Sequence, residues 1–257
     1  MLDGLYEGAV SDAKSRSERV SVAQLEALIA RQPLALDALA AFAPRSTVHI
    51  LAEIKRASPS RGVLAEIPEP SELAATYEKF GATGISVLTE GRKFLGSLED
   101  LRSVRSSVSV PLLRKDFIAN EYQILEARAY GADLALLIAA GLDQPTLIRL
   151  KNFTEQLGMT AFVETHNRIE LERALEIGSR FVGINARDLS TFETNRHLFG
   201  ELVHLIPDGV IKVAESAVRD SSDVAHYRES GADVVLVGEA LVVGDAGATL
   251  KSFLRNN

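Results

Sequence analysis

The sequence predicts an α/β protein, a closed (β/α)8 barrel preceded by an N-terminal helical extension. From about residue 48, eight apolar, β-branched runs follow one another, and segments with helical periodicity separate them. Most runs are continuously apolar, as expected for parallel strands covered by helices. Eight such units favour a closed TIM barrel over an open doubly wound sheet. No Gly-x-Gly-x-x-Gly follows the first run, which argues against a dinucleotide-binding sheet.

Residues 1–47 lie outside the eightfold pattern and form the predicted extension. Pro33 ends a helical segment in it whose apolar stripe is Val22, Leu25, Leu28 and Ile29. We expect the helices of this extension to pack against one end of the barrel. The 257 residues contain no evident linker, so we predict one domain, with the barrel over residues 48–257.

Eight strands and the starts of four intervening helices can be placed from the sequence. Ser71, Ser97 and Asn120 are the expected N-caps of three of those helices, and the fourth is expected over Asn167–Ile177. Glycines at 81, 131 and 231 are expected to end helices in the left-handed conformation. The predicted strands are His49–Lys55, Gly84–Thr89, Val110–Lys115, Leu134–Ala139, Thr160–Glu164, Phe181–Asn185, Val210–Glu215 and Val234–Gly238.

Composition excludes several classes of function. There is no cysteine, so thiolate catalysis, disulfides and cysteine-bound metals are excluded. The five histidines show no metal-binding spacing, so we expect no metal site and interpret them as surface or structural residues, with a role left open only for His166, which is near Glu164. The net charge of −7 argues against nucleic acid, although local cations still allow a small anionic substrate. With neither a signal peptide nor a membrane-spanning run in evidence, we expect a cytoplasmic protein. We also expect it to be a monomer or weak homo-oligomer.

Charged and polar side chains end several of the predicted strands, where a parallel α/β protein builds its active site. Glu53 and Lys55 share one face of the first strand, because side chains alternate along it. Lys115 and Glu164 end two later strands, and Asn185 ends the sixth, with Arg187 beyond it. Such groups are costly inside apolar runs unless they face a polar cavity or a partner. The sequence therefore predicts one site assembled from several strands.

The role of Lys115 stays open at this point. It could be a general acid, a carbonyl polariser or a Schiff-base nucleophile, or it could form only a salt bridge with Asp116. Glu53 and Lys55 could likewise form only a structural ion pair. The loops after strands seven and eight, with Ser216 and Gly238-Glu239, lie where barrels frequently bind phosphate.

The motifs in these strands resemble those of the indole-3-glycerol-phosphate synthase family, and the resemblance covers essentially the whole chain. Two phrases are the most specific, Lys-x-x-Ser-Pro-Ser from Lys55 and Arg-Lys-Asp-Phe ending at Phe117. The others are Val87-Leu88-Thr89-Glu90 with Phe94 and Gly96-Ser97, Glu164, Gly183-Ile184-Asn185-Ala186-Arg187-Asp188-Leu189, Ala214-Glu215-Ser216, and Val237-Gly238-Glu239-Ala240-Leu241.

The resemblance implies a carboxy-lyase of tryptophan biosynthesis that acts on 1-(2-carboxyphenylamino)-1-deoxyribulose 5-phosphate without cofactor or metal. It implies Lys115 as the acid that polarises the ketone, Glu164 as the base for dehydration, and Lys55 as the cation for the carboxylate or oxyanion, or a second proton source. The remaining implied roles are orientation by Glu53 and Asn185, ordering of the anionic site by Arg187, apolar walls at Phe94 and Phe117, and substrate or phosphate contacts at Ser58, Ser216, Ala217, Gly238 and Glu239.

One position departs from the family pattern. Ala217 occupies the place where the family usually has glycine after Glu-Ser. If φ is positive there, we expect alanine to cost about 1–2 kcal/mol in strain and to weaken phosphate affinity. Two other functions remain open, a Schiff-base aldolase-like barrel that uses Lys115 and a phosphate-ligand-binding barrel without turnover.

Overall fold

A computed structural model describes residues 2–188, 191 and 193–255, and it confirms the predicted barrel. Eight parallel strands close on themselves in chain order, with the last strand beside the first. They are β1 (His49–Ile54), β2 (Gly84–Leu88), β3 (Leu112–Lys115), β4 (Leu134–Ile138), β5 (Thr160–Thr165), β6 (Phe181–Asn185), β7 (Ile211–Glu215) and β8 (Val234–Val237).

The predicted strand limits agree with the observed ones to within two residues. The largest difference is at β3, which was expected from Val110 and begins at Leu112. Pro111 has no N–H to donate, so the regular ladder begins after it. A short antiparallel hairpin of Ala57–Ser58 and Gly62–Val63 follows β1 and was not expected.

Helices surround the barrel and precede it. Those of the extension are α1 (Leu2–Ser17), α2 (Val22–Ile29) and α3 (Ala38–Ala41). Those of the barrel are α4 (Pro70–Lys79), α5 (Leu98–Arg105), α6 (Glu121–Ala129), α7 (Gln144–Gln156), α8 (Arg168–Glu176), α9 (Leu198–Leu202), α10 (Ser221–Glu229), α11 (Glu239–Val242) and α12 (Ala246–Arg255).

Two of the three expected N-caps are confirmed. The side chains of Ser97 and Asn120 each accept a backbone N–H from the first turn of α5 and α6, and Asn167 caps α8 in the same way. Ser71 is wrong, because α4 begins at Pro70, whose fixed φ and missing N–H suit the first helical position. The glycines at 81, 131 and 231 have φ of 95°, 93° and 97°, which confirms their role in ending helices.

The extension contacts both ends of the barrel, so the expectation that it packs against one end is wrong. The Tyr6 hydroxyl of α1 donates to the Ile138 carbonyl at the carboxyl end of β4. Phe42, just after α3, packs edge-to-face on Phe181 at the start of β6, with ring centroids 5.4 Å apart. Between these contacts, Leu25 of α2 is buried against α6. The extension therefore reaches both the end where the chemistry is expected and the opposite end.

No helix within the described residues is long and apolar enough to cross a membrane.

Candidate active site

The structure places all thirteen predicted site residues around one cavity of about 1160 Å³. The cavity opens where the barrel strands end, and side chains from β1, β3, β5, β6 and β7 reach it together with the loops that follow. The thirteen are Glu53, Lys55, Ser58, Phe94, Lys115, Phe117, Glu164, Asn185, Arg187, Ser216, Ala217, Gly238 and Glu239. Their proximity agrees with a single site, and their individual roles remain predictions.

Lys115 lies between two buried carboxylates. Its Nζ donates to Glu164 Oε2 at 2.8 Å and to Glu215 Oε2 at 3.1 Å. Both glutamate side chains are almost fully buried. The bare backbone of Gly183 leaves room for Glu215, since a Cβ there would lie 2.2 Å from Glu215 Oε1. Three strands therefore fix one ammonium group between two acids.

The charges of these three groups depend on one another. Burial opposes the charged form of Lys115, but the two carboxylates reverse that effect and hold its pKa above the ordinary range. Burial also opposes ionisation of Glu164, yet the Lys115 ammonium and His166 lower its pKa well below the usual value. Burial and the negative charge of Glu164 raise the pKa of Glu215 to about 8. At neutral pH the site thus holds a protonated lysine and an ionised Glu164, while Glu215 takes up a proton more readily than an ordinary glutamate.

Glu53 and Lys55 form a second ion pair across the cavity. Lys55 Nζ lies 2.8 Å from Glu53 Oε1, as the shared strand face predicts. Gly238 at the end of β8 permits this approach, because a Cβ at Gly238 would lie 2.5 Å from Glu53 Oε1 and 3.0 Å from Lys55 Nζ. The pair faces the cavity, so its ammonium is available to an anionic ligand as well as to Glu53.

Asn185 connects the carboxylate site to the loops beyond β6 and β7. Its Nδ2 donates to Glu164 Oε1 at 3.2 Å. Its Oδ1 accepts the Ser216 hydroxyl at 2.7 Å and the Arg187 backbone N–H at 3.0 Å. The amide therefore holds Glu164, Ser216 and the Arg187 backbone in fixed relation.

The expected phosphate end has an unusual backbone. Ser216 and Ala217 are consecutive residues with φ of 68° and 58°, a left-handed conformation that favours glycine. Ala217 therefore has the positive φ at which alanine is expected to be strained. Across the cavity, the hairpin after β1 contributes Ser58 and Arg61, and Arg61 pairs with Glu239 at 2.8 Å.

One wall of the cavity is apolar. Phe94 and Phe117 pack with ring centroids 6.1 Å apart, and Tyr6 packs edge-to-face on Phe117. Phe94 is held by a tight loop in which the Glu90 carboxylate accepts the N–H groups of residues 92, 93 and 94. Leu2 and Leu5 of α1 complete this wall.

The alternative of a salt bridge between Lys115 and Asp116 is wrong. Successive side chains point to opposite faces of β3, so Lys115 faces the barrel interior and its two neighbours do not. Asp116 instead bonds the fully buried Arg114 at 2.8 Å and accepts the Thr89 hydroxyl. This leaves the Lys115 ammonium to the cavity and its two glutamates.

Two contributions to the site were missed from the sequence. Glu215 was predicted to end the strand Val210–Glu215 but was assigned no role, although its position there matches that of Lys115 and Glu164 in their strands. That shared position was the signal that could have identified it. Leu2 and Leu5 carry no such signal, because only the packing of α1 over the strand ends brings them to the cavity.

Within the described part of the chain, no three histidine, aspartate or glutamate side chains are grouped as a metal site. Of the histidines, His49 fits the structural interpretation. Its ring bonds the Thr83 hydroxyl and the Ala43 carbonyl at the amino end of the barrel, far from the cavity.

Comparison with known proteins places the chain in a family. The family model described as indole-3-glycerol phosphate synthase matches residues 2–253. The chain belongs to the indole-3-glycerol phosphate synthase family. A relative of that name from Leifsonia xyli subsp. xyli is 56% identical over 98% of this chain and 97% of its own length. Another, from Parafrankia sp., is 52% identical over 95% and 90%. Members of this family are enzymes, and so is this chain.

Solved structures of low sequence identity share the fold alone. The 3-hexulose-6-phosphate synthase from Salmonella typhimurium superposes with a TM-score of 0.64 at 12% identity, over 81% of this chain and 98% of that one. The N-acetylmannosamine-6-phosphate 2-epimerase from Clostridium perfringens gives 0.61 at 13% identity, over 75% and 86%. Both agree with the (β/α)8 barrel of the synthase family.

Proposed function

We propose that the chain is an indole-3-glycerol-phosphate synthase, a carboxy-lyase of tryptophan biosynthesis. Its substrate would be 1-(2-carboxyphenylamino)-1-deoxyribulose 5-phosphate, and its products indole-3-glycerol phosphate, carbon dioxide and water. The observation that carries the proposal is the Lys115 ammonium, held between Glu164 and Glu215 in a cavity that also contains the Lys55–Glu53 pair. The family membership supports the choice of reaction.

Ring closure requires a cationic acid beside the ketone. In this step the aromatic carbon that bears the carboxylate attacks the ketone carbon, and the ketone oxygen takes a proton from Lys115 to become a hydroxyl. The raised pKa of Lys115 keeps that proton available at neutral pH. Phe94 and Phe117 offer an apolar wall for the aryl ring, which contributes by orientation.

Decarboxylation and dehydration of the newly closed ring follow. The carbon–carboxylate bond breaks, and its electron pair restores the aromatic ring as carbon dioxide leaves. Loss of the new hydroxyl as water then needs a proton for the departing oxygen and a base for the adjacent C–H. Glu164 is the ionised carboxylate suited to the second task. The first falls to Lys55, or to Lys115 after it has regained from solvent the proton that it gave to the ketone oxygen.

The remaining residues are proposed to bind and orient. Glu53 and Asn185 orient the lysines and the substrate hydroxyls, and Arg187 orders the anionic site. The phosphate is proposed to lie by the ends of β7 and β8, near the left-handed backbone of residues 216 and 217. Substrate and phosphate contacts are assigned to Ser58, Ser216, Ala217, Gly238 and Glu239.

We also propose that the reaction needs no metal or cofactor and that the partner is a phosphorylated small molecule, not nucleic acid or a membrane. We propose a monomer or weak homo-oligomer in the cytoplasm.

The test is turnover of that substrate by the purified wild-type protein, followed by the rise of indole fluorescence and by identification of the product. Borohydride added with substrate should trap nothing on Lys115, because a Schiff base needs a neutral amine and both neighbouring carboxylates favour the ammonium. A trapped adduct would support the aldolase-like alternative. Binding without turnover would support the ligand-binding barrel.

A further inference from the structure

His166 is a buried titratable residue that the proposed mechanism does not use. It follows Glu164 by two residues, just beyond the end of β5, and its side chain is only 9% exposed. Its Nε2 lies 3.1 Å from Glu164 Oε1, and its Nδ1 lies 3.0 Å from Glu170 Oε2. The imidazole therefore stands between an active-site carboxylate and a second carboxylate from α8.

The second carboxylate is fixed by the start of α8. Glu170 accepts the backbone N–H of His166 at 2.8 Å and the side-chain amide of Asn167 at 2.6 Å. Asn167 in turn caps the helix by accepting the Glu170 N–H at 3.0 Å. These bonds place Glu170 without help from the His166 ring.

Two carboxylates on the two ring nitrogens select one protonation state. A neutral imidazole has a single N–H and would turn a lone pair towards one of the two acids. An imidazolium has N–H groups on both nitrogens, so it hydrogen-bonds Glu170 through Nδ1 and places its positive charge at Nε2 within ion-pair distance of Glu164, although without hydrogen-bond geometry there. The placement of the ring thus favours the cation.

Glu164 is held on its other sides as well. Asn185 donates to the same oxygen that faces His166, whereas Lys115 donates to the other oxygen, Oε2. Glu215 from β7 lies beyond Lys115, and Tyr6 of α1 is also within electrostatic reach of Glu164. Around His166 itself, the facing charged groups are Glu164 and Glu170.

We propose that His166 is a positioning residue for the synthase reaction: as an imidazolium it keeps Glu164 ionised and turns Glu164 Oε2 towards Lys115. This inference rests on the proposed function, because Glu164 is the group through which His166 acts. Asn185 and His166 together occupy Oε1, so that Oε2 is the oxygen left for proton exchange with Lys115 and the substrate.

The electrostatics of the site agree with this geometry. Burial alone would lower the pKa of His166, but Glu164 and Glu170 raise it to about 10. The positive ring is one of the causes that lower the pKa of Glu164. Removal of the ring charge therefore shifts the protonation of Glu164 to higher pH.

The first measurement is the protonation state of His166 in the wild-type protein, read from its side-chain nitrogen shifts by NMR between pH 5.5 and 8.5. The proposal expects both nitrogens to stay protonated over this range. A neutral ring that titrates near pH 6.5 overturns the proposal, whether or not the protein turns over its substrate. Failure of the proposed function is thereby separated from failure of this inference.

The second measurement is the pH profile of kcat for His166→Gln, Glu170→Gln and His49→Gln. For His166→Gln we expect the acidic limb to move up by about one pH unit, which is a tenfold loss of kcat on that limb and a smaller loss above it, with KM changed less than threefold. Glu170→Gln should move the limb in the same direction by less, because the ring remains but loses one of the charges that keep it protonated.

His49→Gln is the matched control, because His49 is also buried and bonded on both nitrogens but lies at the other end of the barrel. It should lower the melting temperature and leave the pH profile in place. If His166→Gln behaves as the control does, with a lower melting temperature and an unmoved acidic limb, the role is only structural and the proposal fails.

Discussion

At the scale of single residues, Ala217 is the clearest conflict between side chain and backbone. Its φ of 58° lies in the region that costs an L-residue about 1–2 kcal/mol. The sequence analysis assigned this cost to phosphate affinity. The strained conformation is part of the folded backbone, so the cost falls on folding stability.

Ala217→Gly should therefore stabilise the protein. The relieved strain exceeds the extra entropy of glycine in the unfolded chain, and we expect the free energy of unfolding to rise by roughly 0.5–1 kcal/mol in urea titrations. KM for the substrate should change less than threefold.

Ala240→Gly provides the matched comparison, because Ala240 also lines the cavity but lies in helix α11 with ordinary backbone. It should lose about 0.5–1 kcal/mol of stability, as glycine does in helices. An equal loss of stability in Ala217→Gly would contradict the strain account. A large fall in its KM would show that the strain at Ala217 weakens phosphate binding instead.

At the scale of elements, the loop after β1 is fixed at its base and free nearer its tip. Arg56 donates to the Ile67 and Leu95 carbonyls and pairs with Asp100 at the start of α5. Arg61, near the tip, is 63% exposed in its side chain and has one ion pair, with Glu239. These contacts confine any closure of the loop over residues 56–68 to the hairpin of residues 57–63.

If the hairpin closes over the phosphate, a bound ligand should slow trypsin cleavage after Arg61. Limited proteolysis with and without indole-3-glycerol phosphate measures this, with the fragment identified by mass spectrometry. Arg61→Gln should remove the cleavage site and serves as the control. Equal cleavage rates with the ligand bound at saturation would rule out closure of this segment.

Helices and strands set by nearby residues could be predicted from the sequence. Features set by packing between distant residues could not. Periodicity and caps located the strands and α5, α6 and α8, because apolar runs and Asn or Ser caps act within a few residues. Ser71 was predicted as a cap from its side chain, whereas α4 begins at Pro70, whose backbone suits the first helical position. The burial of Arg114 and the contacts of α1 depend on residues distant in the chain, and nothing local indicates them.

At the scale of the whole molecule, the two ends of the barrel have different tasks. The carboxyl end holds the charged cavity, while the amino end is closed by Phe42 against Phe181, His49 and the bare backbone of Gly84. The thirteen site residues could be grouped from sequence because parallel strands bring their ends together. The pattern of charges at the site could not be predicted from the sequence, since it depends on which acid faces which lysine.

Phe42→Ala should separate stability from activity. Removal of this fully buried ring leaves a cavity and is expected to cost about 3–5 kcal/mol of unfolding free energy. At a temperature where the variant stays folded, kcat and KM should remain within twofold of the wild type. Phe42→Leu should lose less stability, and a large loss of kcat in the folded Phe42→Ala protein would show that the two ends are coupled.

The central claim is that Lys115 and Glu164 perform the synthase chemistry. Its most direct measurement is indole fluorescence during turnover of 1-(2-carboxyphenylamino)-1-deoxyribulose 5-phosphate by the wild type, Lys115→Ala and Glu164→Gln, with folding checked by circular dichroism. We predict turnover by the wild type and a loss of kcat of about 10²–10⁴-fold in both folded variants. Near wild-type turnover by either variant, or substrate binding without turnover by the wild type, would contradict the account.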